Sequence, residues 1–92
     1  MNMDELRGRI DAVDDELLRC FAERMDIAGD IARYKAEHGL PVLDERRERE
    51  KLYAVSEKAP EELQSYAVSL YALLFELSRS RQNRLLHKQS PL

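Results

Sequence analysis

Two cations and two neutral hydrogen-bonding side chains occupy positions in this sequence where a helical period asks for core. Arg24, Ala28, Ile31 and Lys35 follow one another at three- and four-residue steps. At about 100° per residue they share a face, because eleven residues return to within about 20° of the start. Arg24 and Lys35 therefore bracket an apolar patch. Further along, Leu74, Ser78 and Gln82 continue one line at four-residue spacing, so uncharged polar groups take over where leucines end. Buried polar groups need partners, and two cations with a Ser/Gln pair turned into a helical interior suit a small anionic ligand. The same pattern allows a plainer outcome. A Lys or Arg at the end of an apolar stripe often carries its head back to water, and Ser and Gln near a helix end are commonly surface residues. Arg7, beside Leu6 in the first turns, reads by itself as a solvated arginine.

The remaining polar residues form no other recognised constellation. There is no Ser-His-Asp arrangement, no glycine-rich phosphate loop and no zinc-ligand spacing. His38, next to Gly39, reads as a helix cap; His87 lies far from it in sequence, so no metal or cofactor is expected. Cys20 reads as a small core residue, and Tyr34, Tyr53, Tyr66 and Tyr71 read as packing. The densest charge run, Pro41 to Glu50 ("PVLDERRERE"), reads first as the solvated start of a helix with Asp44 as its N-cap. Arg46, Arg49, Arg79, Arg81 and Arg84 are assigned to solvent or to pairing with acids four residues away.

Three helices must position these residues, and no segment reads as a strand. From Met3 to Glu37 there is no proline, and Leu6, Ile10, Val13, Leu17, Phe21, Met25, Ala28 and Ile31 keep an amphipathic period throughout. Asn2 or Asp4 can cap its start, and His38-Gly39 before Pro41 is a sound stop. A second helix follows Asp44, with Leu52, Tyr53 and Val55 on its apolar side, and ends near Ala59-Pro60. A third begins at Pro60, which suits a first turn. It carries a broad stripe from Leu63 through Ala67, Leu70, Leu73, Leu74 and Leu77, and runs to about Leu86. The first helix is too long for a small body. About 34 residues make a rod of roughly 50 Å, whereas a compact chain of this size has a radius of gyration of about 12 Å. The protruding stripe needs another chain, and a symmetric helical homodimer with the long helices side by side is the economical solution.

The totals agree with a single small domain over 1–92, ordered from about 4 to 87, with frayed ends that include Ser90-Pro91. Of the 92 residues 43% are hydrophobic, which is not a disordered composition. Fifteen basic and 18 acidic side chains give a net charge of -3, so no dedicated nucleic-acid binder is expected. The single cysteine cannot form an internal disulfide. With neither a signal peptide nor a membrane-length apolar run, the expected location is cytoplasmic, without a membrane partner.

With these residues in order, the chain resembles the all-helical chorismate mutases from Leu6 to about Leu86. "LRGRIDAVDDELLRCFAERM" is similar to the family's opening, with Arg7, an Ile-Asp-x-x-Asp-x-x-Leu-Leu run and Arg24. "IARYKAEHGLPVLDERRERE" is similar to its middle, with Lys35, Pro41, Asp44, Arg47 and Glu48, and "LFELSRSRQ" to its end, with Ser78 and Gln82. Each short motif is weak alone; their order and spacing together are specific. One departure is Leu43, in a loop position where basic residues are common in relatives.

The resemblance implies an intertwined homodimer that converts chorismate to prephenate by a Claisen rearrangement, in aromatic amino-acid biosynthesis and without a cofactor. It implies a substrate pocket of Arg7, Arg24, Lys35, Asp44, Arg47, Glu48, Ser78 and Gln82, with Arg7 donated by the partner chain. Lys35, Gln82, Arg24 and Glu48 would be the catalytic members. Arg7 and Arg24 would clamp two carboxylates, Lys35 and Gln82 would donate to the ether oxygen, and Ser78 would bind a carboxylate. Glu48 and Asp44 would accept from the ring hydroxyl, while Arg47 would add positive field or orient Glu48. Feedback control by Phe or Tyr and a fused second enzyme are not expected. Two alternatives stay open. Isochorismate pyruvate lyases share the clamp arginines, the lysine and the late Gln, but resemble this chain less around Asp44, Arg47 and Glu48. A non-catalytic helical dimerisation module would explain the long stripe but not Lys35 and Gln82.

Overall fold

The computed structural model describes residues 1–88, so the expected fraying at Ser90-Pro91 lies outside the described residues. The fold is all-α, with three α-helices: α1 (Met3–Glu37), α2 (Glu45–Lys58) and α3 (Gln64–Lys88). Both ends of α1 follow local chemistry. The Asn2 side chain accepts a hydrogen bond from the Glu5 amide at 2.9 Å, and Asp4 and Glu5 sit at the positive end of the helix dipole. At the other end the Gly39 amide donates to the Ala36 carbonyl and the Leu40 amide to the Lys35 carbonyl at 2.8 Å. This Schellman closure needs a left-handed residue, and Gly39 supplies it at φ 65°. His38 is the C-cap, and its Nδ1 lies 2.8 Å from the Tyr34 carbonyl.

The Asp44 side chain accepts from the Arg47 amide at 3.0 Å and starts α2 as expected. The beginning of the third helix differs from the expectation. Pro60 is extended, and a single 3-10 turn over Glu61–Leu63 precedes α3. Pro60 has no side-chain oxygen to cap the orphan amides, so the Leu63 amide turns back to the Pro60 carbonyl at 2.8 Å. The Gln64 side chain then donates to the Ser56 carbonyl at 2.8 Å and ties the start of α3 to the end of α2.

Helix α3 is the common partner, packing against both α1 and α2. The buried apolar residues are Ala28 and Ala32 of α1, Val55 of α2 and Phe75 of α3. Small residues on α1 let α3 come close: a Cβ built on Gly29 would stand 3.1 Å from Leu85 Cδ1. No residue of α1 through Cys20 is covered. Cys20 is therefore exposed, contrary to the core assignment, because α3 packs only on the later half of α1. Tyr34, Tyr53 and Tyr66 are likewise exposed rather than packed. The molecule measures 56 × 27 × 15 Å with a radius of gyration of 16.7 Å, well beyond the roughly 12 Å of a compact chain of this length. Ile10, Val13, Leu17 and Leu18 are 58–65% exposed within the single chain. Among the described residues no helix is long and apolar enough to cross a membrane.

Candidate active site

The C-terminal half of α1, the start of α2 and the later half of α3 enclose a cavity of about 450 Å³, within the size range of small-molecule sites. Helix α1 contributes Arg24, Ala28, Ile31 and Lys35, the face read from the sequence. The loop and α2 contribute Val42, Asp44, Arg47, Glu48 and Lys51. Helix α3 contributes Phe75, Ser78, Arg79 and Gln82. Seven of the eight residues named from the sequence thus line one cavity.

Arg7 is the eighth and lies elsewhere. It belongs to a shallow groove with Met3, Leu6 and Ile10 near the free end of α1. Seventeen residues of helix separate it from Arg24, a distance of roughly 26 Å, so one chain cannot bring both arginines to one small ligand.

The polar groups in the cavity hold one another. Lys35 Nζ donates to the Val42 carbonyl at 2.6 Å and to Gln82 Oε1 at 3.3 Å. An ammonium only donates, so it fixes the amide orientation. The Gln82 amide nitrogen consequently faces Ser78 and donates to its Oγ at 3.1 Å. These bonds occupy two of the three ammonium hydrogens of Lys35 and one of the two amide hydrogens of Gln82. Each side chain keeps one donor for a ligand atom. Gln82 is only 4% exposed, so its geometry is set by packing rather than by solvent. Arg24 is half-buried, with its guanidinium carbon 6.0 Å from the ring centres of both Tyr71 and Phe75, a cation–π arrangement that holds the fork in place.

Five of the described lining residues were missed in the sequence: Ile27, Val42, Lys51, Phe75 and Arg79. Arg79, assigned to solvent or to a local pair, instead donates through Nη1 to both oxygens of Glu48, at 2.6 and 2.5 Å. Its partner is 31 residues away on another helix, and neither side chain is more than 29% exposed. Arg47, expected as one way of orienting Glu48, forms no ion pair with it; its backbone amide serves the Asp44 cap. Lys51 and Phe75 also line the cavity without having been named. The signal was present: Phe75, Ser78, Arg79 and Gln82 follow the three- and four-residue steps of one helix face. The surface assignment holds for Arg46, which pairs with Glu50 at 3.0 Å, and for Arg49, which pairs with Glu45 at 4.0 Å. Among the described residues five cations and two carboxylates line the cavity, although the chain as a whole carries a net charge of -3. Among the described residues Arg24, Lys35, Arg47 and Lys51 form no ion pair.

An all-helical chain with a cation-rich pocket, fixed neutral donors and no metal-ligating cluster among its described residues has the means to bind and orient a small polyanion. Comparison with known proteins gives this class its family. Residues 6–83 match the family described as Chorismate mutase type II, and the chain belongs to that family. It is 27% identical over 86 residues to a chorismate mutase of Methanocaldococcus jannaschii, covering 91% of this chain and 87% of that one. It is 34% identical over 77 residues to a 4-amino-4-deoxychorismate mutase of Streptomyces venezuelae, covering 78% of this chain and 72% of that protein. A further match, 39% identical over 44 residues, is to the T-protein of Haemophilus influenzae; it covers 48% of this chain and spans only 12% of that protein. No solved structure matches the chain significantly.

Proposed function

We propose that the cavity is the active site of a chorismate mutase, which converts chorismate to prephenate. The observation that carries this reading is the chain of contacts from Lys35 through Gln82 to Ser78 beside Arg24, which leaves two fixed donors beside a carboxylate-binding cation. Chorismate carries two carboxylates, and its rearrangement is intramolecular. It needs no nucleophile, general base or metal. The rate comes from holding the enolpyruvyl group over the ring and from stabilising charge that grows on the ether oxygen as the C–O bond stretches. Lys35 and Gln82 direct their remaining donors at that oxygen, where the bonds strengthen in the transition state. Arg24 takes one carboxylate through its planar fork, with Ser78 assisting. Glu48, aided by Asp44, accepts from the ring hydroxyl, and Arg47 adds positive field.

The second carboxylate calls for Arg7 of a second copy of the chain. Support comes from two directions: Arg7 and Arg24 are too far apart on one helix, and Ile10, Val13, Leu17 and Leu18 are exposed beside Arg7. Side-by-side packing of two α1 helices covers that stripe and carries each Arg7 towards the other chain's cavity. The functional unit is then a symmetric dimer with two shared sites.

A close variant of the substrate is also relevant, because one relative carries the name 4-amino-4-deoxychorismate mutase. That name differs from chorismate mutase in the ring substituent, which in the proposed reading faces Glu48. Separate incubations with chorismate, 4-amino-4-deoxychorismate and isochorismate, with product identification, test the assignment. Prephenate from chorismate is the expected result. Pyruvate from isochorismate without turnover of chorismate would establish a lyase instead, and silence with all three would favour a non-catalytic dimerisation module.

A further inference from the structure

The acids of the cavity are already committed. Asp44 Oδ1 caps α2 through the Arg47 amide at 3.0 Å. Glu48 receives Arg79 Nη1 on both carboxylate oxygens, at 2.6 and 2.5 Å. Among the described residues every other charged side chain lining the cavity is a cation. A carboxylate has about four lone-pair directions. One nitrogen straddling both oxygens occupies the inner pair and leaves the outer pair able to accept from a ligand. Glu48 thus remains a hydrogen-bond acceptor while its charge is balanced by its neighbour.

We propose that Arg79 is a positioning residue that sets the choice of ring substituent: by neutralising and aiming Glu48, it makes the site select a neutral donor such as a hydroxyl over an ammonium. The inference rests on the mutase reading, in which Glu48 faces the substituted ring carbon. A hydroxyl needs only an acceptor of fixed direction. A primary amine near neutral pH is an ammonium, and it requires uncompensated negative charge. Here it meets the Glu48–Arg79 pair, whose formal charges cancel, with the guanidinium nitrogen at hydrogen-bond distance from both carboxylate oxygens and further cations around the cavity. Only about a quarter of each partner's side chain is exposed (29% for Arg79 and 24% for Glu48), so water screens the pair incompletely. The two partners belong to different helices, α2 and α3, so the pair also holds the Glu48 carboxylate in one direction.

The test compares kcat/KM for chorismate with kcat/KM for 4-amino-4-deoxychorismate in the native chain and in Arg79→Gln, Arg79→Leu and Arg79→Lys. The native chain favours chorismate. In Arg79→Gln and Arg79→Leu that preference falls by about tenfold or more, as expected when a balancing charge at hydrogen-bond distance is removed from a partly screened site. In Arg79→Lys, which restores the charge, most of the preference returns. A purely structural role would lower both rates together and leave their ratio unchanged. Arg79→Gln keeps a polar, uncharged side chain, so it guards against loss of folding in the leucine variant; circular dichroism and sedimentation verify both. An unchanged ratio in folded Arg79→Gln overturns the inference while the mutase reading stands. Equal native use of both substrates overturns it too. Failure of the native chain to turn over chorismate overturns the mutase reading and this inference together.

Discussion

Lys35 is fixed from two directions. Its backbone carbonyl closes the end of α1, and its ammonium is tied to Val42 and Gln82. The Lys35→Ala variant should lose turnover by about 10²-fold or more while secondary structure and sedimentation remain native, because in the proposed mechanism the ammonium acts chiefly on the breaking bond. Near-normal turnover in a folded variant would remove Lys35 from the mechanism. Gln82 makes a second prediction, on pH. Its amide donates at any pH, so in the proposed mechanism native kcat/KM should need no acidic medium. In Gln82→Glu the new side chain donates only when protonated, and an ordinary Glu loses its proton near pH 4.3. Activity of that variant should be greatest in acid and fall as pH rises through the new carboxyl's pKa. A pH profile parallel to the native one would contradict the role. These residues were legible because Arg24, Lys35, Ser78 and Gln82 interrupt apolar lines at helical spacing. The partner of Arg79 was not, because helical period tells which residues share a face, whereas the Glu48 contact joins two helices through tertiary packing.

The elements were legible where local chemistry decides them. Asn2, Gly39 and Asp44 set boundaries of α1 and α2 through their own caps. The 3-10 turn after Pro60 was not, since it depends on a missing cap and on tethering to Ser56 through Gln64. Two glycines of α1 give opposite predictions. Gly8 has nothing within 4 Å of an added Cβ and lies across the helix from Leu6, Ile10 and Val13. Gly8→Ala should stabilise the protein by about 1 kcal/mol through helix propensity alone. At Gly29 an added Cβ already stands 3.1 Å from Leu85 Cδ1. The branched side chain of Gly29→Val would force α3 away from α1, with a loss of about 1–3 kcal/mol. Thermal or denaturant unfolding checks both, and shifts of the same sign would contradict this packing.

At the scale of the whole molecule, one chain has a body too thin to cover its own first helix. The sequence announced this through rod length, and the exposed residues Ile10 to Leu18 give it substance, but which surfaces meet is not written in a period. Charge distribution makes a separate prediction. A cation-rich cavity on a chain of net charge -3 should draw a dianionic substrate from a distance, so kcat/KM should fall several-fold as ionic strength rises and the Debye length shrinks below about 10 Å. An ionic-strength-independent kcat/KM would argue against steering. The most direct measurement of the central claim, a chorismate mutase whose site is completed across two chains, mixes inactive Arg7→Ala chains with inactive Arg24→Ala chains. After subunit exchange, each mixed dimer should contain one site with both arginines intact, so about one quarter of all sites should recover prephenate formation in an equal mixture. No recovery, with mixed dimers demonstrated by tagged purification, would contradict the shared site.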